Sequence, residues 1–177
     1  NKGEIPGNEI DDDNSGYVDD IHGWNFLSTT DYPKEISWGE TGDKGHGTHV
    51  AGTVAAVNNN KLGVGGVAGG SGKGDGVKLM SCQVFSGNSS ATIAARAQAY
   101  EYAANNGACI IQCSFGLPGG NITSDAIFEK TYNAELAGIE YFVNYRQAYS
   151  PVDRNFAIFA SGNDAYHLAG YPAAHRD

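Results

Sequence analysis

The run Ile21-His22-Gly23-Trp24-Asn25-Phe26 alternates apolar and polar positions and predicts a short strand. After a polar loop from 27 to 44, Val50, Val54 and Val57 recur at helical spacing, with Ala51, Gly52 and Ala55 small enough for close packing. A tightly buried helix is therefore expected, entered through the turn residues Asp43-Lys44-Gly45. The glycine-rich stretch from Gly63 to Gly76 reads as a surface loop, and Val77 to Phe85 as a strand. Ser89 or Ser90 is expected to cap a helix that carries Ile93, Ala97, Tyr100 and Ala104 on one face and ends before Gly107. Ala108 to Phe115 reads as the next strand, followed by a Pro118-Gly119-Gly120 turn. From Thr123 to about Tyr149 the pattern is helical, with Ile127, Phe128, Tyr132 and Leu136 available for burial, a break at Gly138 and a stop at Pro151. Phe156 to Ser161 predicts a last strand running into Gly162-Asn163-Asp164. Strand, helix and strand in succession imply a right-handed parallel crossover in an α/β fold. Ligands in such sheets bind past the carboxyl ends of the strands, which directs attention to Ser86-Gly87 and Ser114-Phe115-Gly116.

At 177 residues, 41% hydrophobic and 18% charged, the chain has the size of one compact domain. A net charge of −9 supplies no basic patch to neutralise phosphates, which argues against nucleic acid and anionic membranes as partners. No apolar run approaches the roughly 20 residues of a membrane span. The first residue is Asn1, and the expectation is a piece cut from a longer precursor. Of the three cysteines, Cys109 and Cys113 share one expected strand and lie too far apart to bridge, so free, mostly buried thiols are expected.

Three places carry candidate chemistry. The first is Gly45-His46-Gly47-Thr48-His49, which sets an imidazole in a first helical turn. That group suits a general base for a hydroxyl nucleophile; two histidines three apart equally suit a metal pair or a helix face with satisfied side chains. The second is the acidic run Asp11 to Asp20. With Asp11 first in a calcium loop, Asp13, Ser15, the Tyr17 carbonyl and Asp19 supply oxygens on alternate residues and Gly16 makes the sharp turn. His22 stands where such a loop carries its bidentate glutamate, and Asp20 is the group that would compensate. The third is Gly162-Asn163 at a strand end, which presents a side-chain amide but by itself reads as a turn. The Gly69-Gly70-Ser71-Gly72-Lys73-Gly74 stretch is no phosphate loop, because no Ser or Thr follows the lysine. Asp31, Glu35, Glu40 and Asp43 read as solvent-facing.

The histidine motif, continued by Val-Ala-Gly-Thr-Val-Ala-Ala-Val-Asn-Asn, resembles the histidine signature of the subtilisin-like serine peptidases, the subtilases. The acidic loop followed by Gly-Trp-Asn-Phe, the Ser114-Phe115-Gly116 segment, the Ala160-Ser161-Gly162-Asn163 segment and Tyr171-Pro172-Ala173 are similar to further subtilase segments in the same order. The resemblance implies a three-layer, doubly wound parallel sheet of subtilisin type. It implies His46 as the catalytic base, with His49 a structural neighbour, and Asn163 as the oxyanion donor. Ser86, Gly87, Ser114, Phe115 and Gly116 become edges of a cleft in which an extended polypeptide substrate pairs as an added strand. The spacing of Asp11, Asp13, Ser15, Tyr17, Asp19 and Asp20 predicts structural calcium, with a solvated acidic loop as the alternative. The resemblance implies a second calcium at Val57, Asn59 or Asn60, Leu62 and Val64, where a helix closed by asparagines and glycine is the other reading.

The same resemblance implies an incomplete domain. No Asp-[Ser/Thr]-Gly and no Gly-Thr-Ser-Met-Ala occurs here to provide the aspartate and the nucleophilic serine. A gap is expected between strands 77–85 and 108–115, where the family's aspartate strand lies. The expectation is residues 1–177 as part of a secreted or cell-envelope endopeptidase, with the calcium loop at 1–20, the histidine helix at 45–57 and the cleft at 77–164. The piece alone would be inactive until it associates with the rest of its parent domain. A calcium-stabilised peptide-binding module without catalysis, and a zinc hydrolase using His46 and His49, are the competing classes.

Overall fold

The computed structural model describes residues 1–27, 36, 45–87, 89–146 and 152–176. The side chains of Asp31, Glu35, Glu40 and Asp43, the Asp43-Lys44 turn and the expected helix end near Tyr149 and Pro151 lie outside the described residues. Contacts fall into two compact units, Asn1–Ser90 and Ala91–Asp177.

In the first unit, β1 (Gly23–Asn25) pairs in parallel with β2 (Ser81–Gln83), Gly23 opposite Ser81 and Trp24 opposite Cys82. The Phe26 amide donating to Gln83 O at 2.9 Å and the Ser81 amide donating to His22 O at 2.9 Å extend the ladder at both ends. Trp24 and Phe26 are buried. Tyr17 meets both edge-on, at 5.1 and 6.2 Å between ring centroids, and so pins the acidic loop to the strand. At Gly23, φ is +130° and a β-carbon would fall 1.8 Å from Ser81 O, so the strand pair requires glycine there.

Helix α1 (His46–Ala55) starts on Gly45 in the left-handed region, with no side-chain cap. It ends two residues short of Val57, the last of its periodic valines. Ala56 is extended, Val57 is 48% exposed, and no residue of α1 is fully buried. The expected tight burial is therefore not observed. The helix end is closed by a distant segment: the Gly66, Val67 and Ala68 amides donate to Ala56 O, Thr53 O and Val54 O at 2.8 to 2.9 Å. These satisfy carbonyls that a helix C-terminus otherwise leaves unpaired. Gly66 and Gly69 are buried in this contact, while most of the stretch around them is exposed. Ser89 and Ser90 do not cap the next helix; they form β4 (Ser89–Ser90), antiparallel to β3 (Phe85–Ser86).

In the second unit, Thr92 caps α2 (Ile93–Asn105), its hydroxyl accepting from the Ala95 amide at 3.1 Å. Strand β5 (Ile110–Cys113) pairs in parallel with β6 (Phe156–Phe159), Ile110 opposite Phe156. Between them run α3 (Asp125–Thr131), capped by Ser124, and α4 (Asn133–Asn144). The helical break falls at Tyr132, not at Gly138. Gly138 lies inside α4 because α2 crosses there: a β-carbon on it would sit 2.8 Å from the Ala97 α-carbon. Tyr102, Phe128 and Phe142 are fully buried, and Asn155 donates to Phe142 O at 2.9 Å and to Tyr145 O at 3.3 Å, closing the end of α4. Arg96 and Glu135 form a two-point ion pair between α2 and α4, at 2.9 and 2.7 Å.

The parallel pairs and four helices give an α/β chain. Its described strands form three two-stranded sheets, with β2 and β5 in different ones.

Candidate active site and acidic loop

His46 is the first residue of α1 and is exposed, as is His49 one turn on. The glycine before it sets this position. Gly45 at φ +89° turns the chain directly into the helix, and its carbonyl accepts from the His49 amide at 2.7 Å. Thr53 Oγ1 donates to His49 O at 3.0 Å, so the first turns are closed by backbone and hydroxyl. Among the described residues, neither histidine belongs to a group of three or more metal-ligating side chains.

Ser86 and Gly87 lie in the same unit, at the reversal between β3 and β4, where Gly87 has φ +58°. Asn163, Ser114, Phe115 and Gly116 lie in the other unit. There the ladder of β5 and β6 continues through the Ala160 amide to Cys113 O at 3.0 Å. Past it, Gly162 at φ +112° turns the chain at Asn163, which is exposed. The Leu117 amide donates to Tyr171 O at 2.7 Å and the Gly170 amide to Ser161 O at 2.8 Å. Gly116 lies so close to this segment that a β-carbon on it would be 2.9 Å from Tyr171 O and 3.5 Å from Ala160 O. The end of β5 and the Asn163 turn are thus neighbours, although Gly116 and Asn163 are 47 positions apart in the chain. The Asn163 turn lines an open groove of about 370 Å³, formed by residues 161–166 with Gly119, Leu168 and Ala169; Ser114, Phe115 and Gly116 are not in its lining.

Two supports come from the segment that begins with the Tyr171-Pro172-Ala173 motif, but nothing local in the sequence points to their partners on α3. Tyr171 is buried; its hydroxyl donates to Asp125 Oδ1 at 2.7 Å and its ring stacks on Phe128 at 5.0 Å. That hydrogen bond to the Asp125 carboxylate raises the Tyr171 hydroxyl above its ordinary pKa. His175 Nε2 approaches Glu129 Oε1 at 3.4 Å. The Tyr171 to His175 segment is thereby clasped by one face of α3.

In the acidic loop the carboxylates accept from nearby amides. Asp11 takes Ser15 N and Gly16 N at 3.0 and 2.8 Å, Asp13 also takes Ser15 N at 3.0 Å, and Asp19 takes Gly7 N and Glu9 N at 2.8 and 2.9 Å. Ser15 Oγ accepts from the Tyr17 amide at 3.2 Å. The Asn1 side-chain amide bridges Asp13 and Asp20 at 2.9 and 2.7 Å, and its bond, with those from Ser15, holds the Asp13 carboxyl below the usual aspartate value. Glu4, Asp13 and Asp20 bring carboxylate oxygens within 4.8 Å of one another, with Glu4 and Asp20 buried. Glu4 was not foreseen: it precedes the loop, and only the folded backbone brings it to Asp13 and Asp19, whose amides it accepts at 3.2 and 2.9 Å. This donor set is all hard oxygen, the chemistry that suits calcium.

The second loop carries a cavity of about 480 Å³ bounded by residues 57–65 and Gly70. Asn59 and Lys61 adopt left-handed φ, and Asn60 Oδ1 accepts from the Leu62 amide at 2.9 Å. No disulfide joins Cys82, Cys109 and Cys113; Cys113 is buried and the other two partly so.

The model of the subtilase family, peptidase S8, matches residues 10–176. The chain belongs to the subtilase family. It is similar to the thermostable alkaline protease of Halalkalibacterium halodurans, 35% identical over 130 residues, covering 70% of this chain and 34% of that protein. Thermitase of Thermoactinomyces vulgaris is 29% identical over 153 residues, covering 86% of this chain and 43% of that protein. Subtilisin DY of Bacillus licheniformis is 31% identical over 156 residues, covering 82% of this chain and 52% of that protein. This subtilase chain therefore spans about a third to a half of the length of these relatives. Among its described residues, no helix is long and apolar enough to cross a membrane.

Proposed function

We propose that this chain is the part of a secreted or cell-envelope serine endopeptidase that carries the catalytic histidine and the oxyanion asparagine, within an incomplete three-layer subtilase domain. The observation that carries the reading is His46, presented to solvent at the head of α1. In this reading His46 takes the proton from a serine hydroxyl, and an aspartate orients the ring; both partners come from the parent domain, which associates with this piece. Asn163 donates to the oxyanion, a contact that contributes about 2.7–4 kcal/mol in a reference case that is itself a subtilisin. Ser86, Gly87, Ser114, Phe115 and Gly116 supply backbone to an extended polypeptide substrate. The piece by itself is inactive.

Calcium holds the acidic loop in this reading, through Asp13 and Asp20 with the Asp11, Ser15, Tyr17 and Asp19 oxygens, and with Glu4 added. The converging buried carboxylates of Glu4 and Asp20 support it. A second calcium in the Val57 to Val64 loop belongs to the same proposal. The loop chemistry equally serves a non-catalytic peptide-binding module, and one experiment separates the two. The parent reading frame is expressed, and hydrolysis of a peptide nitroanilide is followed with and without a serine-directed covalent inhibitor. Inhibitor-sensitive hydrolysis that disappears in His46→Ala is expected. Hydrolysis that survives His46→Ala refutes the assignment, and binding without hydrolysis supports the module.

A further inference from the structure

We infer that Asn121 is the acceptor of an N-linked oligosaccharide, attached as the chain is secreted. The inference rests on the secreted reading above and adds a covalent modification to it. Two asparagines of the chain are followed at the second position by Ser or Thr with no proline between, in Asn121-Ile122-Thr123 and Asn88-Ser89-Ser90. An asparagine with a hydroxyl two residues on is the acceptor pattern of secreted chains, and it belongs on a surface loop because the group added is bulky and hydrophilic. Asn88 lies outside the described residues, and its triplet continues into β4, beside the Ser86-Gly87 edge assigned to substrate. The inference is therefore confined to Asn121.

The turn before it holds this asparagine at the surface. The Asn121 backbone amide donates to Pro118 O at 3.2 Å, and Gly120, third in the turn, has φ +84°. β-Carbons on Gly119 and Gly120 would come within 2.8 and 2.7 Å of the Tyr166 side chain, so the turn lies against that ring and is fixed from its inner side. Asn121 and Thr123 are exposed, while Ile122 between them is half-buried. Ser124 then caps α3, its hydroxyl accepting from the Ile127 amide, which ends the open stretch. Among the described residues, neither the Asn121 side-chain amide nor the Thr123 hydroxyl has a hydrogen-bond partner. Asn105, Asn106 and Asn144, by contrast, use their side chains within the fold. In the transfer, the Asn121 side-chain nitrogen forms a bond to the anomeric carbon of an oligosaccharide carried on a lipid diphosphate. The glycosyl–phosphate bond breaks, the diphosphate leaves with the bonding pair, and the amide gives one proton to the transferase. Thr123 is the recognition element and does not react.

The test expresses the parent reading frame in cells whose secretory pathway holds such a transferase and its lipid-diphosphate oligosaccharide, and collects the protein from the medium. Mass is measured before and after a peptide amidase that removes N-linked glycans, with the digestion run in water enriched in heavy oxygen. A mass loss is expected, with the heavy oxygen recovered at position 121. Asn121→Gln and Thr123→Val should each remove this glycan, and Thr123→Ser should retain it. Because Thr123→Val leaves the asparagine in place, it separates recognition of the hydroxyl from mere exposure of the amide. Secreted protein without a glycan at Asn121, or a glycan there that persists in Thr123→Val, overturns the inference and leaves the secreted peptidase standing. A chain retained inside the cell overturns the secreted reading and this inference with it.

Discussion

Glu135 offers the sharpest quantitative test of how the second unit is held together. Its side chain is 4% exposed and that of Arg96 13%, and the pair meets through two hydrogen bonds of 2.9 and 2.7 Å. Arg96 Nη1 also donates to Ala91 O at 3.0 Å, and Tyr100 Oη to Glu135 Oε1 at 3.2 Å. The hydrogen bonds to Glu135 raise the Arg96 pKa, so the guanidinium stays charged throughout. Arg96→Ala would leave a buried carboxylate with Tyr100 as its remaining donor among the described residues. Removing one partner of a buried pair costs about 3–5 kcal/mol, whereas exchanging both for apolar residues of similar volume is often close to neutral. The single variant should therefore lose about 3–5 kcal/mol and Arg96→Met/Glu135→Leu much less, a coupling that a double-mutant cycle isolates. Hydrogen exchange of the α2 and α4 amides reads this directly, since a tenfold loss of protection corresponds to about 1.4 kcal/mol. Protection should fall roughly 10²- to 4 × 10³-fold in Arg96→Ala and recover most of the way in the double variant. A single-variant loss under about 1 kcal/mol, or a double variant as damaged as the sum of its singles, would refute the reasoning and put this pair among the exposed ones.

Three further outcomes are expected. Burial pushes the Cys82 thiol up to about 12, so at pH 8 about one molecule in 10⁴ carries the thiolate; Cys82 should resist a disulfide reagent in the native chain and react in urea, and rapid native labelling would contradict this. The Asp13 carboxyl titrates lower in the folded chain than in the unfolded one, so its stabilisation is fully present above about pH 4 and is lost as the pH falls through the folded value. Trp24 fluorescence, reporting through Tyr17 on this loop, should change in that acid range, and a flat signal from pH 5 to pH 2 would exclude the link. Gly23→Ala places a methyl 1.8 Å from Ser81 O at φ +130° and should cost at least about 2 kcal/mol in urea unfolding; a neutral variant would show that β1 and β2 do not pair in solution.

Local pattern carried much of this molecule. The strand at Trp24, the helices from Ile93 and from Asp125, and the strand at Phe156 follow from periodicity and turn residues within ten or so positions, because the forces that define them act over one or two turns of chain. The histidine motif and the Ala-Ser-Gly-Asn segment are similarly short, and the family was legible in them. The misread boundaries share a cause. Gly138 reads as a helix breaker until Ala97 occupies the space beside it, and the Gly63 to Gly76 loop reads as featureless until Gly66, Val67 and Ala68 close the end of α1. Ser89 and Ser90 have capping chemistry, yet the pairing of β4 with β3 took them and left Thr92 to cap α2.

Residues far apart in sequence show the same division more strongly. The amino acids alone determined which segments coil, which extend and where an imidazole and an acidic loop occur, since each is encoded by neighbours along the chain. Folding alone decided that Glu4 joins Asp13 and Asp20, that Tyr171 reaches Asp125, and that Tyr166 lies against Gly119 and Gly120. Those meetings depend on the summed packing of whole elements, where each contact must offset the entropy of closing a long loop, and no local pattern records that sum.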